Sequence, residues 1–282
     1  MVMGETCAGA ARRRAVVTGA STGIGAAFAQ RLAHEQFDVV LVARTRDRLE
    51  RLATQLQSSH KIAVEVLCAD LTRAADLRTV EQKVATDDRL ALLINAAGVV
   101  TVGCFEQLDV DAEEAEIRLN VLATVRLTRA ALPGMISRGH GGIINVSSIA
   151  AFVPGRYTAT YCATKAFLRS FTEALHEELR GTGVRVQALC PGFTRTELAE
   201  RSGVDVSKIP SFAWTPPEAV VEAALAGLRR GAVVCVPGVS NRMLTLLLSA
   251  LPRRLARRLA GAGAKRGWAA HRRRGASAAS TD

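Results

Sequence analysis

Short apolar runs alternate with longer amphipathic stretches through the first two-thirds of this 282-residue chain. Six runs of mainly apolar residues predict buried strands, at 15–18, 39–42, 63–67, 90–94, 143–146 and 185–189. Five stretches with helical periodicity predict helices, at 24–34, 46–57, 76–85, 113–138 and 157–180. This alternation predicts an α/β fold, a doubly wound parallel sheet with helices on both faces.

Composition indicates a folded domain in a reducing compartment. Apolar residues make up 49% of the chain, which is enough for a large core. The six cysteines are scattered without a Cys-x-x-Cys pair, so we expect neither a zinc site nor a disulfide framework. The arginines at 12–14 precede only three apolar residues before Thr18, too few for a secretory signal. We therefore expect a cytoplasmic protein that binds no metal.

The net charge of +11 lies at the C-terminal end of the chain. Residues 1–222 contain 25 basic and 25 acidic side chains, whereas residues 223–281 contain 12 basic and no acidic ones. We therefore predict an N-terminal tail over 1–13, a single α/β domain over 14–240 and a basic helical extension over 241–282.

A glycine-rich turn follows the first predicted strand. Gly19, Gly23 and Gly25 stand where the chain passes into a helix, with the spacing Gly-x3-Gly-x-Gly. Such glycines let the backbone approach a pyrophosphate, whose charge is favoured by the helix N-terminus. The spacing differs from the Gly-x-Gly-x-x-Gly of the best-known dinucleotide fingerprint, so an ordinary glycine-rich turn is the alternative.

The end of the second predicted strand bears on the choice of cofactor. An NAD site usually places an acidic residue here to bind the ribose hydroxyls. This chain instead has Ala43, Arg44 and then Arg46, and an arginine can pair with the 2′-phosphate of NADP. We expect NADP(H) to be favoured over NAD(H), with ordinary surface arginines as the alternative.

Tyr161 and Lys165 stand four residues apart in a predicted helix and therefore share one face. A nearby positive charge favours phenolate, so we expect Lys165 to lower the Tyr161 pKa from about 10 toward neutrality. A phenol tuned in this way can act as a general acid or base.

These motifs stand in an order that resembles the short-chain dehydrogenase/reductase family, over residues 14–236. In order they are Thr18-Gly19-x3-Gly23-x-Gly25, Asp70, Asn95-Ala96-Ala97-Gly98, Asn120, Ser148, Tyr161-x3-Lys165 and Pro191-Gly192. Ser148 precedes Tyr161 by 13 residues and Asn120 precedes it by 41, both typical of the family. In two departures, Ala96 replaces a frequent asparagine, and Thr22 replaces the basic residue of many NADP-dependent members.

The resemblance implies a Rossmann-type fold and four catalytic residues, Asn120, Ser148, Tyr161 and Lys165. Tyr161 would give a proton to a carbonyl oxygen as hydride arrives, or take one in the reverse direction. Lys165 would also bind the nicotinamide ribose, and Ser148 would hold and polarise the carbonyl. Asn120 would lie on a kinked helix and anchor a water that relays protons to Lys165.

The resemblance also implies a cofactor site. Asp70 would meet the adenine, Asn95 and Gly98 the adenosine side, and Thr194 and Thr196 the nicotinamide carboxamide or the phosphates. The full implied set is Gly19, Ser21, Thr22, Gly23, Ile24, Gly25, Arg44, Asp70, Leu71, Asn95, Ala96, Gly98, Tyr161, Lys165, Pro191, Gly192, Thr194 and Thr196.

The predicted substrate contacts are Ser148, Phe152, Tyr161 and Phe193. Phe152 lies in the stretch with which the family lines its pocket, and residues 193–215 resemble the family's variable lid. The aromatic residues of that lid, Phe212 and Trp214 among them, suggest a lipophilic substrate such as an acyl, steroid-like or other ketone. A lid that packs only on its own core is the alternative.

The basic extension begins with a mainly apolar run over 243–251, much shorter than the roughly 20 residues that span a bilayer. Leu251, Leu255 and Leu259 predict a helical stripe flanked by arginine pairs, which is typical of a helix on an anionic membrane surface. A helix packed on the core or on a dimer partner is the alternative, and no motif supports nucleic-acid binding. From Gly261 onward we expect no fixed structure.

Taken together, we expect an NADP(H)-dependent oxidoreductase that interconverts a carbonyl and a secondary alcohol, as a homodimer or homotetramer. The alternatives are an NAD-dependent hydroxysteroid-type dehydrogenase and a non-catalytic Rossmann module that senses NADP(H). Silent relatives typically lose the tyrosine or the lysine, and this chain keeps both.

Overall fold

The computed structural model of the protein describes residues 12–197, 214–252 and 254–255. Its sheet has seven parallel strands in the order β3-β2-β1-β4-β5-β6-β7. They are β1 (Arg14–Thr18), β2 (Asp38–Ala43), β3 (Val64–Cys68), β4 (Leu90–Asn95), β5 (Gly141–Val146), β6 (Val184–Leu189) and β7 (Val234–Cys235). The doubly wound parallel sheet predicted from the sequence is confirmed. The short β7 lies beyond the six strands predicted.

Eight α-helices stand in the described part of the chain. They are α1 (Gly23–His34), α2 (Arg46–His60), α3 (Ala74–Thr86), α4 (Val110–Ile117), α5 (Thr124–Arg138), α6 (Ala159–Glu178), α7 (Pro217–Arg229) and α8 (Val239–Ala250). Short 3-10 turns cover Phe105–Gln107 and Ile149–Ala151, and a π-helical segment, Arg118–Ala123, joins α4 to α5. No helix in these ranges is long and apolar enough to cross a membrane.

The core lies in two layers, one on each face of the sheet. Phe28 of α1 and Leu225 of α7 belong to the layer that covers one face. Val80 of α3 and Leu127 of α5 belong to the layer on the other face. Because both faces are covered, the central strands are mainly apolar, which explains their apolar runs, whereas the edge strand β3 includes the exposed Glu65. The chain order reverses between β1 and β4, and a crevice for ligands opens at the carboxyl ends of the strands there.

The differences between prediction and structure that bear on the site and on the extension lie in three helices. The helix expected over 157–180 begins at Ala159, because Tyr157 adopts a left-handed φ of 69° that a helix cannot contain. The helix expected over 113–138 starts three residues earlier and contains the π-helical segment. The C-terminal helix ends at Ala250, so Leu251 does not continue a stripe with Leu255. Leu259 lies outside the described residues.

Candidate active site

The predicted site residues come together at the carboxyl edge of the sheet. Gly19 follows β1, Asp70 follows β3, Ser148 follows β5 and Gly192 follows β6. Because all these strands are parallel, the turns after them lie at one edge, on both sides of the crevice between β1 and β4. Motifs that are far apart along the chain therefore share one cleft.

The glycine turn after β1 is shaped so closely that larger residues do not fit. Gly19 and Gly23 have positive φ angles of 67° and 55°. A Cβ on Gly25 would lie 2.2 Å from the Gly19 carbonyl oxygen, and one on Gly23 would lie 2.9 Å from Cγ2 of Thr196. Helix α1 starts here with no side-chain cap from Thr22 and no acidic residue in its first turn. The start of α1 therefore fits a bound pyrophosphate.

Thr18, the last residue of β1, shapes the floor of the cleft and has a role that the sequence reasoning missed. Its Oγ1 accepts hydrogen bonds from the backbone nitrogens of Ala96 at 3.0 Å and Ala97 at 3.1 Å. The turn after β4 is thus bound to Thr18 through its own backbone N–H groups. The departure at Ala96 leaves this arrangement intact, because the side chain at that position takes no part in it.

Asn95 has a structural role that differs from the one predicted. Its side chain is buried, and Nδ2 donates to Oδ1 of Asn145 at 2.9 Å and to Oγ1 of Thr128 at 3.2 Å. These bonds tie β4 to β5 and α5. The side chain therefore points into the core, so contact with a cofactor would have to come from the Asn95 backbone, and the predicted cofactor role of Asn95 stays a prediction.

Asp70 offers a charged acceptor just after β3. Its Oδ1 accepts hydrogen bonds from Oγ1 of Thr72 at 2.7 Å and from the Thr72 backbone nitrogen at 3.0 Å. Burial raises the Asp70 pKa, but these bonds and the charges of Arg44 and Arg73 outweigh it, so the pKa is lowered. Arg44 is exposed, and it lies near enough to Asp70 to act on its charge. Leu71 is buried beside it.

A salt bridge that the sequence does not reveal joins α2 to the segment after β6. Nη1 of Arg48, in the first turn of α2, lies 2.7 Å from Oε1 of Glu197, in the segment after β6. In that segment Thr194 pairs with Thr215 in an isolated β-bridge. Arg46, by contrast, pairs with Glu50 of its own helix at 3.4 Å.

Ser148, Tyr161 and Lys165 meet where β5 ends against α6. The side chains of Ser148 and Tyr161 hydrogen-bond to each other. Nζ of Lys165 donates to the Val146 carbonyl oxygen at 2.9 Å and lies 5.5 Å from the centre of the Tyr161 ring. The arrangement places two hydroxyls and a buried ammonium at one end of the cleft, as the sequence predicted.

The pKa values of this cluster correct one prediction. Burial around the Tyr161 hydroxyl raises its pKa to about 12, and the hydrogen bond with Ser148 offsets only part of that. Burial also lowers the pKa of Lys165 to about 8, against the opposing charge of Glu116. The expected lowering of the Tyr161 pKa by Lys165 is therefore wrong for this structure, because desolvation dominates. At neutral pH Tyr161 is a protonated phenol, which can donate.

Asn120 lies in the π-helical segment, which agrees with the kinked helix that the family resemblance implies. Its Oδ1 accepts from the Val99 backbone nitrogen at 3.0 Å, and its Nδ2 donates to the Val99 carbonyl oxygen at 3.0 Å. Nδ2 also donates to Oγ1 of Thr164 in α6 at 3.2 Å. A Cβ on Gly98 would lie 3.1 Å from Oδ1 of Asn120, so a larger residue at this position would push the Asn120 side chain.

Glu116 is a second residue that sequence reasoning missed. It is fully buried one turn before Asn120, and its Oε2 accepts from the backbone nitrogen and Oγ1 of Thr101, at 2.8 Å and 2.6 Å. Its Oε1 accepts from Nδ2 of Asn120 at 3.4 Å. Burial raises the Glu116 pKa, and the nearby Glu113 adds to the rise, whereas the Thr101 bonds and the Lys165 charge oppose it. The only sequence signal was an acidic residue four positions before Asn120.

The predicted substrate contacts divide between two surroundings. The guanidinium of Arg169 lies over the ring of Phe152, with its Cζ atom 4.6 Å from the ring centre. Phe193 is exposed and lies 5.9 Å from Trp214, centre to centre and tilted by 52°. Phe212 and most of the predicted lid lie outside the described residues. Within those residues, no group of three or more His, Cys, Asp or Glu side chains could hold a metal ion.

Comparisons with known proteins agree with this arrangement. A family model for the short chain dehydrogenases matches residues 13–206. An uncharacterized oxidoreductase of Staphylococcus saprophyticus is 34% identical over 229 residues, 81% of this chain and 96% of the relative.

Two solved structures share the fold and much of the sequence. A short-chain dehydrogenase from Sphingobium yanoikuyae in complex with NADPH is 38% identical with a TM-score of 0.78, covering 86% of this chain and 97% of that one. The bulky-bulky ketone specific alcohol dehydrogenase from Comamonas testosteroni is 33% identical with a TM-score of 0.74, covering 86% and 95%.

The fold and the site together define an oxidoreductase that uses a nicotinamide dinucleotide. Because the family model matches more than half of the chain, the chain belongs to the short-chain dehydrogenase/reductase family.

Proposed function

We propose that the protein is an NADP(H)-dependent oxidoreductase that interconverts a carbonyl and a secondary alcohol on a lipophilic substrate. The observation that carries this proposal is the cluster of Ser148, Tyr161 and Lys165 at the end of the glycine-lined cleft. The proposed catalytic domain spans residues 14–240, and the basic extension follows it.

In the reductive direction, Tyr161 gives its proton to the carbonyl oxygen, and Ser148 holds that oxygen by a hydrogen bond. A nicotinamide held in the cleft would supply the hydride. Lys165 would hold its ribose and, because the lysine charge favours phenolate, would ease the departure of the proton from Tyr161. Asn120 anchors the water through which Lys165 and Tyr161 regain a proton.

Three observations support NADP(H) over NAD(H). Strand β2 ends at Ala43 rather than at an acidic residue, so nothing at that position repels a 2′-phosphate. Arg44, the next residue, is exposed beside Asp70, where a guanidinium can pair with phosphate. The similar dehydrogenase from Sphingobium yanoikuyae was solved in complex with NADPH.

A lipophilic substrate is supported by an aromatic pair that follows β6. Phe193 is exposed, and its ring lies 5.9 Å from that of Trp214, centre to centre. The similar enzyme from Comamonas testosteroni is specific for bulky-bulky ketones. We therefore expect acyl, steroid-like or other bulky ketones to bind better than short ones, because they bury more apolar area.

Two further properties complete the proposal. Homodimers or homotetramers would cover exposed apolar side chains on neighbouring helical segments, among them Ile117, Leu122 and Phe167. We also propose a cytoplasmic protein whose basic extension contacts anionic membranes, because residues 223–281 contain 12 basic and no acidic side chains.

The test is a screen of NADPH and NADH oxidation against ketones of graded chain length, at equal cofactor concentrations. We expect NADPH oxidation to exceed NADH oxidation and to increase with chain length. Equal or faster use of NADH would favour the NAD-dependent hydroxysteroid-type alternative. Cofactor binding without turnover of any ketone, or of secondary alcohols in reverse, would favour the non-catalytic module.

A further inference from the structure

Helix α8 has the reverse of the usual arrangement of polar and apolar residues. Its buried residues are polar, Asn241 at 8% and Thr245 at 4% exposure. Its apolar residues Val239, Met243 and Leu247 recur every fourth position and are each more than half exposed. A helix packed only against its own domain turns its apolar stripe inward. The stripe of α8 is instead presented outward.

The inner face of α8 is fixed by a tight contact, so the helix cannot simply be rotated. A Cβ on Gly192 would lie 2.5 Å from Nδ2 of Asn241, which means that the helix rests directly on the turn after β6. The same Nδ2 donates to the Pro237 carbonyl oxygen at 3.0 Å, and Thr245 Oγ1 donates to the Asn241 carbonyl oxygen at 3.0 Å. The polar side chains of the inner face therefore have hydrogen-bond partners in the observed orientation of the helix.

The outward face is an apolar patch in a segment of the chain whose charges have one sign. Leu246, between the stripe residues Met243 and Leu247, is also more than half exposed and widens the patch. Arg242 and Arg254 are exposed on and just after the helix. Further arginines follow in the sequence, and the chain carries no acidic residue from 223 to 281. An apolar face bordered by basic residues matches the boundary between acyl chains and anionic head groups.

We propose that the outward face of α8 inserts into the surface of an anionic lipid bilayer and that the arginines around and after it bind the lipid phosphates. This rests on the membrane contact proposed above and names the element that makes it. At 12 residues α8 is too short to span a bilayer, so it lies in the interface. Because α8 rests on Gly192, the cleft is held next to the lipid phase from which a lipophilic substrate would come.

A second copy of the chain is a less suitable partner for this face. Two α8 helices in contact would bring together two C-terminal segments whose charged residues from 223 to 281 are all basic, and like charges repel. An anionic membrane neutralises the same charges while it covers the apolar patch. Charge therefore distinguishes the two occupants.

The test is co-sedimentation of the full chain with vesicles of phosphatidylcholine, with and without phosphatidylserine. We expect binding to the phosphatidylserine vesicles alone, and weaker binding at high salt. Leu247→Glu should weaken binding about tenfold, because the inserted leucine is lost. Val110→Glu is the matched control, since Val110 is 75% exposed on α4 and Leu247 is 61% exposed on α8.

The outcomes separate this proposal from the proposed reaction. Unchanged binding by Leu247→Glu, or failure of the unmodified chain to bind phosphatidylserine vesicles, would overturn the role of α8. If the parent bound no vesicles and Leu247→Glu had a lower molecular mass than the parent in analytical sedimentation, the outward face of α8 would instead be an interface between two copies of the chain. Ketone reduction in vesicle-free buffer should be the same for both variants and the parent, so it tests the reaction independently.

Discussion

The two halves of the cleft are built in different ways. At the catalytic end, Tyr161, Lys165 and Asn120 are each held by hydrogen bonds from separate elements of the fold. At the substrate end, Phe193 and Trp214 contact each other near the surface. Polar groups whose positions are fixed by hydrogen bonds can support one type of reaction, whereas a surface of two aromatic rings can contact apolar substrates of many shapes. We therefore expect the first half to determine the type of reaction and the second half to determine the choice of substrate.

Replacement of the buried ammonium should have the largest effect on the catalytic half. Lys165→Met keeps the length of the side chain but removes the charge and the bond to the Val146 carbonyl oxygen. We expect kcat to fall on the order of a thousandfold, as for loss of a proton-transfer partner. The melting temperature should not fall, because burial of Lys165 lowers its pKa to about 8 and a neutral side chain avoids that cost. A matching loss of stability would mean that Lys165 is structural.

Reversal of charge at the adenosine end should have the next largest effect. Arg44→Asp is expected to lower the ratio of NADP to NAD use about thirtyfold, because a charge-assisted phosphate pair becomes a repulsion. Arg46→Asp is the matched control, since Arg46 pairs with Glu50 of its own helix. Initial rates with both cofactors give the ratio. Equal effects of the two variants would contradict the assignment of Arg44 to the 2′-phosphate.

A smaller effect is expected when Glu116 is made neutral. Its carboxylate raises the pKa of Lys165, whose folded value is about 8. We therefore expect kcat/KM for carbonyl reduction to fall as pH rises through about 8, where Lys165 loses its proton. Glu116→Gln should move this fall to lower pH and reduce kcat about tenfold, because Asn120 loses a charged partner.

The matched control for this variant is Glu113→Gln. Glu113 is a neighbour of Glu116 on α4, but its carboxylate bonds to Thr160 and does not shift the Lys165 pKa. Glu113→Gln should therefore leave the pH at which kcat/KM falls unchanged. If kcat/KM fell at the same pH in the parent and in Glu116→Gln, the charge of Glu116 would not influence the Lys165 pKa.

The smallest effect is expected in the substrate half. Trp214→Ala should raise KM about fivefold for a bulky ketone and leave KM for a short ketone unchanged, because only the former covers the ring. The dissociation constant of NADPH, measured by fluorescence, should not change. An equal rise for both ketones would place Trp214 outside the substrate wall.

The sequence predicted the parts of the site that depend on local spacing. The glycine turn and the Tyr161–Lys165 pair follow from residue type and distance along the chain, Ser148 was implied by the family resemblance, and the structure brings them to one edge of the sheet. The direction in which the Tyr161 pKa shifts was not predictable, because the residues that bury Tyr161 come from elements that are distant in the sequence. The contact of Glu116 with Thr101 was missed for the same reason, since it joins a helix to the loop after β4.

Helix α8 shows a different limit of sequence patterns. Helical periodicity identifies an apolar stripe, but it does not reveal which face the rest of the chain covers. The contact between Asn241 and Gly192 turns the polar side inward, and that contact is visible only in the fold. The basic character of the extension, by contrast, needed only a count of residues.

The central claim is that Tyr161 gives the proton to the carbonyl oxygen. The most direct measurement is kcat for NADPH-dependent ketone reduction by Tyr161→Phe, together with its NADPH dissociation constant. The variant removes one oxygen atom and leaves the ring in place. We predict that kcat falls by about a hundredfold to ten-thousandfold while NADPH binding stays within about twofold of the parent. Near-normal kcat with normal binding would contradict the role assigned to Tyr161.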